Sequence, residues 1–267
     1  MKKIISTLVI GTFAFLSSCS SDDNKNNPTP PTTVQAGCKL TRITSPRPSG
    51  PPYMEVIFTY NGNKMAGFLL SYGGGVSRYE LVYENSNSDR IKEIEVFENE
   101  KLTSLGRYVL EYNNNGQIIK IQTVFGNNLP VGEFIYTYEG NKRTQERHYF
   151  LNELEATYNY EWQDDNCVKM SYVDPDGNQY NWNSSLQYST ATNTMPKLGL
   201  ELLDIVDADY SVYLSMYGSK NLVNKEIYSY NSSYPINYTY TFTQKGLVEN
   251  VYANGTLEYK FEYSCEE

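Results

Sequence analysis

The chain of 267 residues contains one histidine, His148, and four cysteines. A Ser-His-Asp or Cys-His nucleophile system would have to run through His148. It stands in Gln145-Glu146-Arg147-His148-Tyr149-Phe150, a strand-like run with no nucleophile motif beside it. Zinc sites built from several histidines or paired cysteines are excluded by count, and no cofactor is expected. Asp174-Pro175-Asp176-Gly177-Asn178 and Asp164-Asp165-Asn166 gather oxygen ligands that suit calcium, but the same residues make plain hairpin turns. Three glycines in a row, Gly73 to Gly75, precede neither a Lys-Ser/Thr pair nor a helix and do not form a phosphate loop. Glu80, Glu93, Glu95, Glu111 and Glu161 fall on outward phases of alternating runs, where solvation explains them; a carboxylate pair for glycoside hydrolysis is the weakest of the functional readings. The remaining chemistry is aromatic. Tyr160, Trp162, Tyr172, Tyr180 and Trp182 crowd one stretch, and their ring faces would suit sugar rings, or else pack on one another across strands.

Tyrosine, at 26 of 267 residues, also sets the elements that must position these groups. An aromatic-x-aromatic pair, then an Asn/Gly turn, then an alternating strand recurs along the chain, with anchor tyrosines at 60, 83, 112, 138 and 160. Asn and Gly supply the positive φ of tight hairpin turns, and the period-2 alternation puts one row of side chains inward. The expected fold is all-β with minor α: a single, strongly twisted or curved antiparallel meander of repeated hairpins over residues 38–267. One stretch departs from it. Leu198, Leu202, Ile205 and Val206 follow helical spacing behind Pro196, predicting a short helical insert near 197–217 that covers a sheet face.

The run Tyr112-Asn113-Asn114-Asn115-Gly116-Gln117-Ile118-Ile119-Lys120-Ile121 resembles the tyrosine–aspartate repeat of bacterial surface proteins, with Asn113, Glu139 and Asn61 where the signature aspartate would stand. The order of elements, including Ser219-Lys220-Asn221-Leu222, is similar to a group of Bacteroidota surface lipoproteins of unknown function. That resemblance brings no enzymatic residues, which implies a non-enzymatic protein.

The N-terminus supports the same setting. Lys2-Lys3, an apolar run from Ile4 to Leu16, and Leu16-Ser17-Ser18-Cys19 resemble a lipoprotein signal peptide (1–18) and its lipobox. The resemblance implies acylation of Cys19, which would hold the protein on a membrane at about 0.8 kcal/mol per buried methylene. Ser20-Ser21-Asp22-Asp23-Asn24 resembles an export signal to the outer face of the outer membrane. Residues 19–37 read as the lipidated cysteine and a Pro-, Asn- and Thr-rich tether that cannot bury enough apolar surface to fold. In an oxidising compartment, Cys38 and Cys265, at the two ends of the folded region, are expected to pair, leaving Cys167 as a buried small hydrophobe; the alternative leaves all three free. The net charge of −9 argues against nucleic acid and against docking on anionic lipid. Two functions follow: capture of a glycan or another exposed ligand, or a structural envelope protein that holds a protein partner through sheet edges and a concave surface. The oligomeric state is open.

Overall fold

The computed structural model describes residues 37–47, 49–98, 101–179, 183–195, 197–206, 218–229 and 234–265. The signal peptide, Cys19 and the tether lie outside them. Sixteen strands run in chain order: β1 (Cys38–Ser45), β2 (Met54–Asn61), β3 (Lys64–Tyr72), β4 (Gly75–Tyr83), β5 (Ile91–Glu98), β6 (Lys101–Tyr112), β7 (Ile118–Val124), β8 (Pro130–Glu139), β9 (Lys142–Phe150), β10 (Glu153–Gln163), β11 (Asn166–Val173), β12 (Ser184–Thr192), β13 (Asn221–Tyr228), β14 (Ile236–Phe242), β15 (Val248–Ala253) and β16 (Thr256–Cys265). One helix, α1 (Lys197–Val206), sits between β12 and β13.

The strands form a closed barrel, each paired antiparallel with its chain neighbours, and this overturns the open meander expected from the sequence. Closure is made by β1 and β16, paired from Cys38↔Cys265 to Thr44↔Lys260. A disulfide joins Cys38 to Cys265 across that seam. Of the helical insert expected near 197–217, α1 covers Lys197–Val206, and 207–217 lie outside the described residues.

A bulge bends the barrel at each repeat. Register shifts fall immediately before Tyr60, Tyr83, Tyr112, Tyr138 and Trp162. A bulge re-aims the side chain that follows it and adds twist, which is what closing a sheet requires. The re-aimed aromatics make one recurrent bond. Tyr60 donates its hydroxyl hydrogen to the Leu40 carbonyl, Tyr83 to Met65, Tyr112 to Ile91, Tyr138 to Ile118, Tyr188 to Cys167, Tyr240 to Val223 and Tyr263 to Val248, at 2.5–2.8 Å. In β10 the place belongs to Trp162, whose indole N–H donates to the Arg143 carbonyl at 2.6 Å. Each even-numbered strand is thus pinned to the start of the strand before it. The bonds form a ring at the end of the barrel that holds the disulfide and α1.

Sixteen strands would enclose a channel if the interior were polar. Here it is filled. Ile43, Val56, Phe68, Ile94, Ile121, Leu222, Val248 and Phe261 join Leu202 of α1 in one buried apolar cluster. The outward phase is charged instead. Arg42 pairs with Glu55 at 3.5 Å, Lys120 with Glu133 at 2.7 Å and Lys169 with Glu161 at 2.5 Å, and all but Glu133 stand next to a buried residue of their strand. Such pairs contribute little to stability, but they mark the face that meets water.

Candidate functional site

At the ringed end, a cavity of about 480 Å³ opens between the wall of β6, β7 and β8 and helix α1. Its floor is apolar: Leu110 and Ile121 from the wall, Leu202 and Ile205 from the helix. Tyr112, Tyr136 and Tyr138 line the side. The mouth is polar and of mixed sign, with Asp89 and Arg90 from the β4–β5 turn, Gln117 and Asn141 from the next two turns, Arg143 from β9 and Glu201 from α1.

These groups stand here for local reasons. Turns at this end join even to odd strands, so the Asn-, Gly- and charge-rich segments of the repeat meet at the mouth. Tyr112 and Tyr138 spend their hydroxyls on Ile91 and Ile118, which fixes their rings in the cavity wall. Burial pushes the Tyr112 hydroxyl up to about 12, outweighing the opposing Ile91 contact, so the phenol stays protonated and donates at neutral pH. Arg90 is exposed, lies 5.7 Å from the centre of the Tyr112 ring, and makes no ion pair among the described residues.

Arg143 is held from behind. Its guanidinium lies 4.1 Å from the Tyr136 ring centre and 3.2 Å from Glu146 Oε2. Glu146, 3% exposed, also accepts the Tyr160 hydroxyl at 2.9 Å and contacts His148 Nε2 at 2.6 Å. Burial works to raise the Glu146 carboxyl, but the His148 hydrogen bond and the Arg143 charge outweigh it, and its pKa lies below the usual value. His148 is therefore part of a buried polar cluster, flanked by Phe134 at 4.6 Å and Tyr158 at 5.0 Å. A second buried carboxylate, Glu226 of β13, is 0% exposed and accepts the Tyr238 hydroxyl at 2.9 Å; its Oε1 has no hydrogen-bond partner. Burial raises its pKa. The two carboxylates share no partner.

Of the aromatics singled out in the sequence, Tyr160, Trp162 and Tyr172 fall on adjacent strands. Tyr160 is bound to Glu146 and Trp162 to Arg143; the Tyr172 ring lies 5.3 Å from that of Tyr158. Tyr180 and Trp182 lie outside the described residues, as does Cys19. The cavity itself was missed. Its signal was present in two forms: a charged residue, Glu146, on the inward phase of a strand, and polar turns at one end of the repeats, one of them carrying Asp89 and Arg90. Among the described residues no group of three or more His, Cys, Asp or Glu side chains is placed to hold a metal ion.

No protein-family model matches the chain, and no curated protein matches it. Two porin-like proteins are among the solved structures that share its fold. A porin-like protein from Bacteroides uniformis ATCC 8492 is 13% identical, with a TM-score of 0.57 over 87% of this chain and 99% of that one. A porin-like protein from Bacteroides vulgatus ATCC 8482 is 11% identical, with a TM-score of 0.51 over 85% of this chain and 98% of that one.

Proposed function

We propose that the protein is a non-enzymatic, ligand-binding barrel of the outer membrane, standing outside the bilayer on acyl chains attached to Cys19. The porin-like neighbours support the envelope setting. The outward face argues that the barrel wall does not cross the bilayer as a porin would. A lipid-facing strand needs an apolar outer row, and each Lys or Arg at mid-depth costs about 2–4 kcal/mol. Arg42, Lys120 and Lys169 lie in such rows.

The ligand reading is a short neutral glycan held in the cavity. One observation carries it: tyrosine rings and an apolar floor meet acids, guanidinium groups and amides at a single mouth. Tyrosine rings pack on the C–H faces of a sugar. Asp89 and Glu201 accept from hydroxyls, while Arg90, Gln117 and Asn141 donate to them. The opposed charges leave no net preference for an ionic ligand. The volume lies within the usual range of about 300–1,000 Å³ for small-molecule sites.

Calorimetry of the protein against a panel of soluble oligosaccharides tests this. We expect saturable binding that Arg90→Ala or Glu201→Gln weakens by about tenfold or more, a typical loss for a central contact. Arg90→Ala, at an exposed position, should leave the melting temperature unchanged. Binding that ignores both substitutions, or no binding across the panel, rejects the cavity as a glycan site. Of the other function expected from the sequence, a protein partner held through sheet edges and a concave surface, the edge route has no place in a closed barrel, which has no free edge.

A further inference from the structure

The apolar side chains that remain exposed are not spread evenly. Among the described residues nine large ones do so, and eight of them lie at one end of the barrel. Leu129 is 56% exposed, Phe150 50% and Leu151 60%; Val82 alone lies elsewhere. This is the end where odd strands turn into even ones, opposite the disulfide, α1 and the cavity. Two neighbouring hairpin tips supply the densest part: Phe125 to Leu129 between β7 and β8, and Phe150 with Leu151 between β9 and β10. They are joined by the Leu151 N–H donating to the Val131 carbonyl at 2.8 Å. Neither 125–129 nor 151–152 contains an ionisable side chain. The next tip at this end, between β11 and β12, carries Asp174 and Asp176, so the uncharged apolar surface is confined to these two hairpins.

We propose that these two hairpin tips seat on a zwitterionic lipid surface. Leucine and phenylalanine at exposed tips gain free energy by leaving water, about 25 cal/mol per Å². The tips themselves carry no ionisable side chain; Arg107, which donates to Asn128 Oδ1 at 2.6 Å, and the exposed Glu153 stand beside them, at the level where a zwitterionic headgroup presents both signs of charge. The net charge of −9 opposes an anionic surface, so neutral headgroups are the matching chemistry. A fluid surface also accepts separate protruding tips without a complementary relief. The length of chain before β1 permits the pose. Eighteen residues, 20–37, would reach roughly 60 Å when extended. The longest strands, of 10–12 residues, span at most about 40 Å. A chain anchored at Cys19 could therefore pass along the barrel and leave the far end on the same bilayer. Acylation decides only which bilayer the tips meet; the contact does not depend on it, nor on glycan binding.

The test uses residues 19–267 carrying Cys19→Ser, so that the apolar run Ile4–Leu16 cannot itself enter the bilayer, and vesicles of phosphatidylcholine. Leu129→Cys, labelled with an environment-sensitive fluorophore, should brighten on addition of vesicles, and the same label at Val82→Cys should not. Leu129→Asp with Leu151→Asp should lower co-sedimentation at least ~tenfold, as expected when buried leucines are lost from a membrane contact. Both positions are exposed, so melting should be unchanged. A label at 129 that stays dim, or co-sedimentation indifferent to the double substitution, overturns the proposal. So does a protein that ignores vesicles and is converted from dimer to monomer by the double substitution, which would make the tips an interface between copies.

Discussion

Single polar atoms inside this barrel carry unequal weight, and their burial ranks them. Tyr240 is 1% exposed and bonds the Val223 carbonyl at 2.6 Å. Tyr60 makes the same bond to Leu40 from a half-buried place. Tyr240→Phe strands a carbonyl away from water and should cost about 1–3 kcal/mol, while Tyr60→Phe should cost well under that because water reaches the orphaned oxygen. Urea melts of the two variants check the order. Glu226 makes a prediction of different form. Its folded pKa is raised by burial above that of the unfolded chain. Below the unfolded value, about 4.3, it is neutral in both states. As pH rises past that point the unfolded chain ionises first, so stability falls until the pH passes the folded pKa. Glu226→Gln keeps an acceptor for Tyr238 and cannot ionise. The variant should gain on the native protein as pH rises past about 4.3; a gap that does not change with pH would show that Glu226 ionises as freely when folded as when unfolded.

Strand ladders differ as much as residues do. β2 and β3 pair at eight registered positions. β11 and β12 pair at two, Lys169↔Ser185 and Met170↔Ser184, and β13 and β14 at two, Lys225↔Asn237 and Glu226↔Ile236. The β12–α1–β13 unit is therefore joined to the rest by thin ladders among the described residues. Side chains stitch part of what the backbone leaves. Tyr188 bonds the Cys167 carbonyl and Ser219, the Cys167 N–H donates to Ser219 Oγ, and the Asn221 N–H donates to Asn166 Oδ1. In native-state hydrogen exchange, amides at the edges of this unit should exchange before those of β2 and β3, since local opening follows the number of bonds that must break. Uniform protection around the barrel would show that the side-chain stitches compensate in full. The same unit carries the α1 wall of the cavity, so its opening would admit a ligand.

At the scale of the whole molecule, closure depends on the contact most distant in sequence. Cys38 and Cys265 are 227 residues apart, and their bond holds β1 against β16. Cross-linking so long a loop restricts the unfolded chain strongly; about 5 kcal/mol is the model upper bound, and 2–4 kcal/mol is typical. Replacing both cysteines by serine should lower the melting temperature by roughly 5–15 °C. An unchanged melting point would mean that the β1–β16 ladder closes the barrel unaided. The two ends of the molecule also differ, with the cavity and disulfide at one and most of the exposed large apolar side chains among the described residues at the other, and its proposed activities divide along the same axis.

Much of this was legible in the chain. The hairpins were, because turn residues and period-2 alternation act between neighbours: Asn113–Gly116 turns β6 into β7 whatever the rest of the molecule does. The start of α1 was legible from its apolar spacing. The tyrosine period was also plain, but its cause was not. Tyr160 and Trp162 are two residues apart in one strand, and only the bulge before Trp162 decides that the indole takes the ring bond while Tyr160 turns to Glu146. Closure was beyond sequence reasoning because nothing local in β1 or β16 names the other as its partner; it follows from twist and bulges summed over sixteen strands. The cavity shares that origin. Asp89, Gln117, Asn141 and Glu201 lie in four separate segments, and curvature of the whole sheet around α1 is what gathers them at one mouth. Sequence determined the repeating unit, through forces that act over a few residues; the barrel, its filled interior and its two unlike ends were decided by the tertiary structure, where small local bends add up to a closed surface.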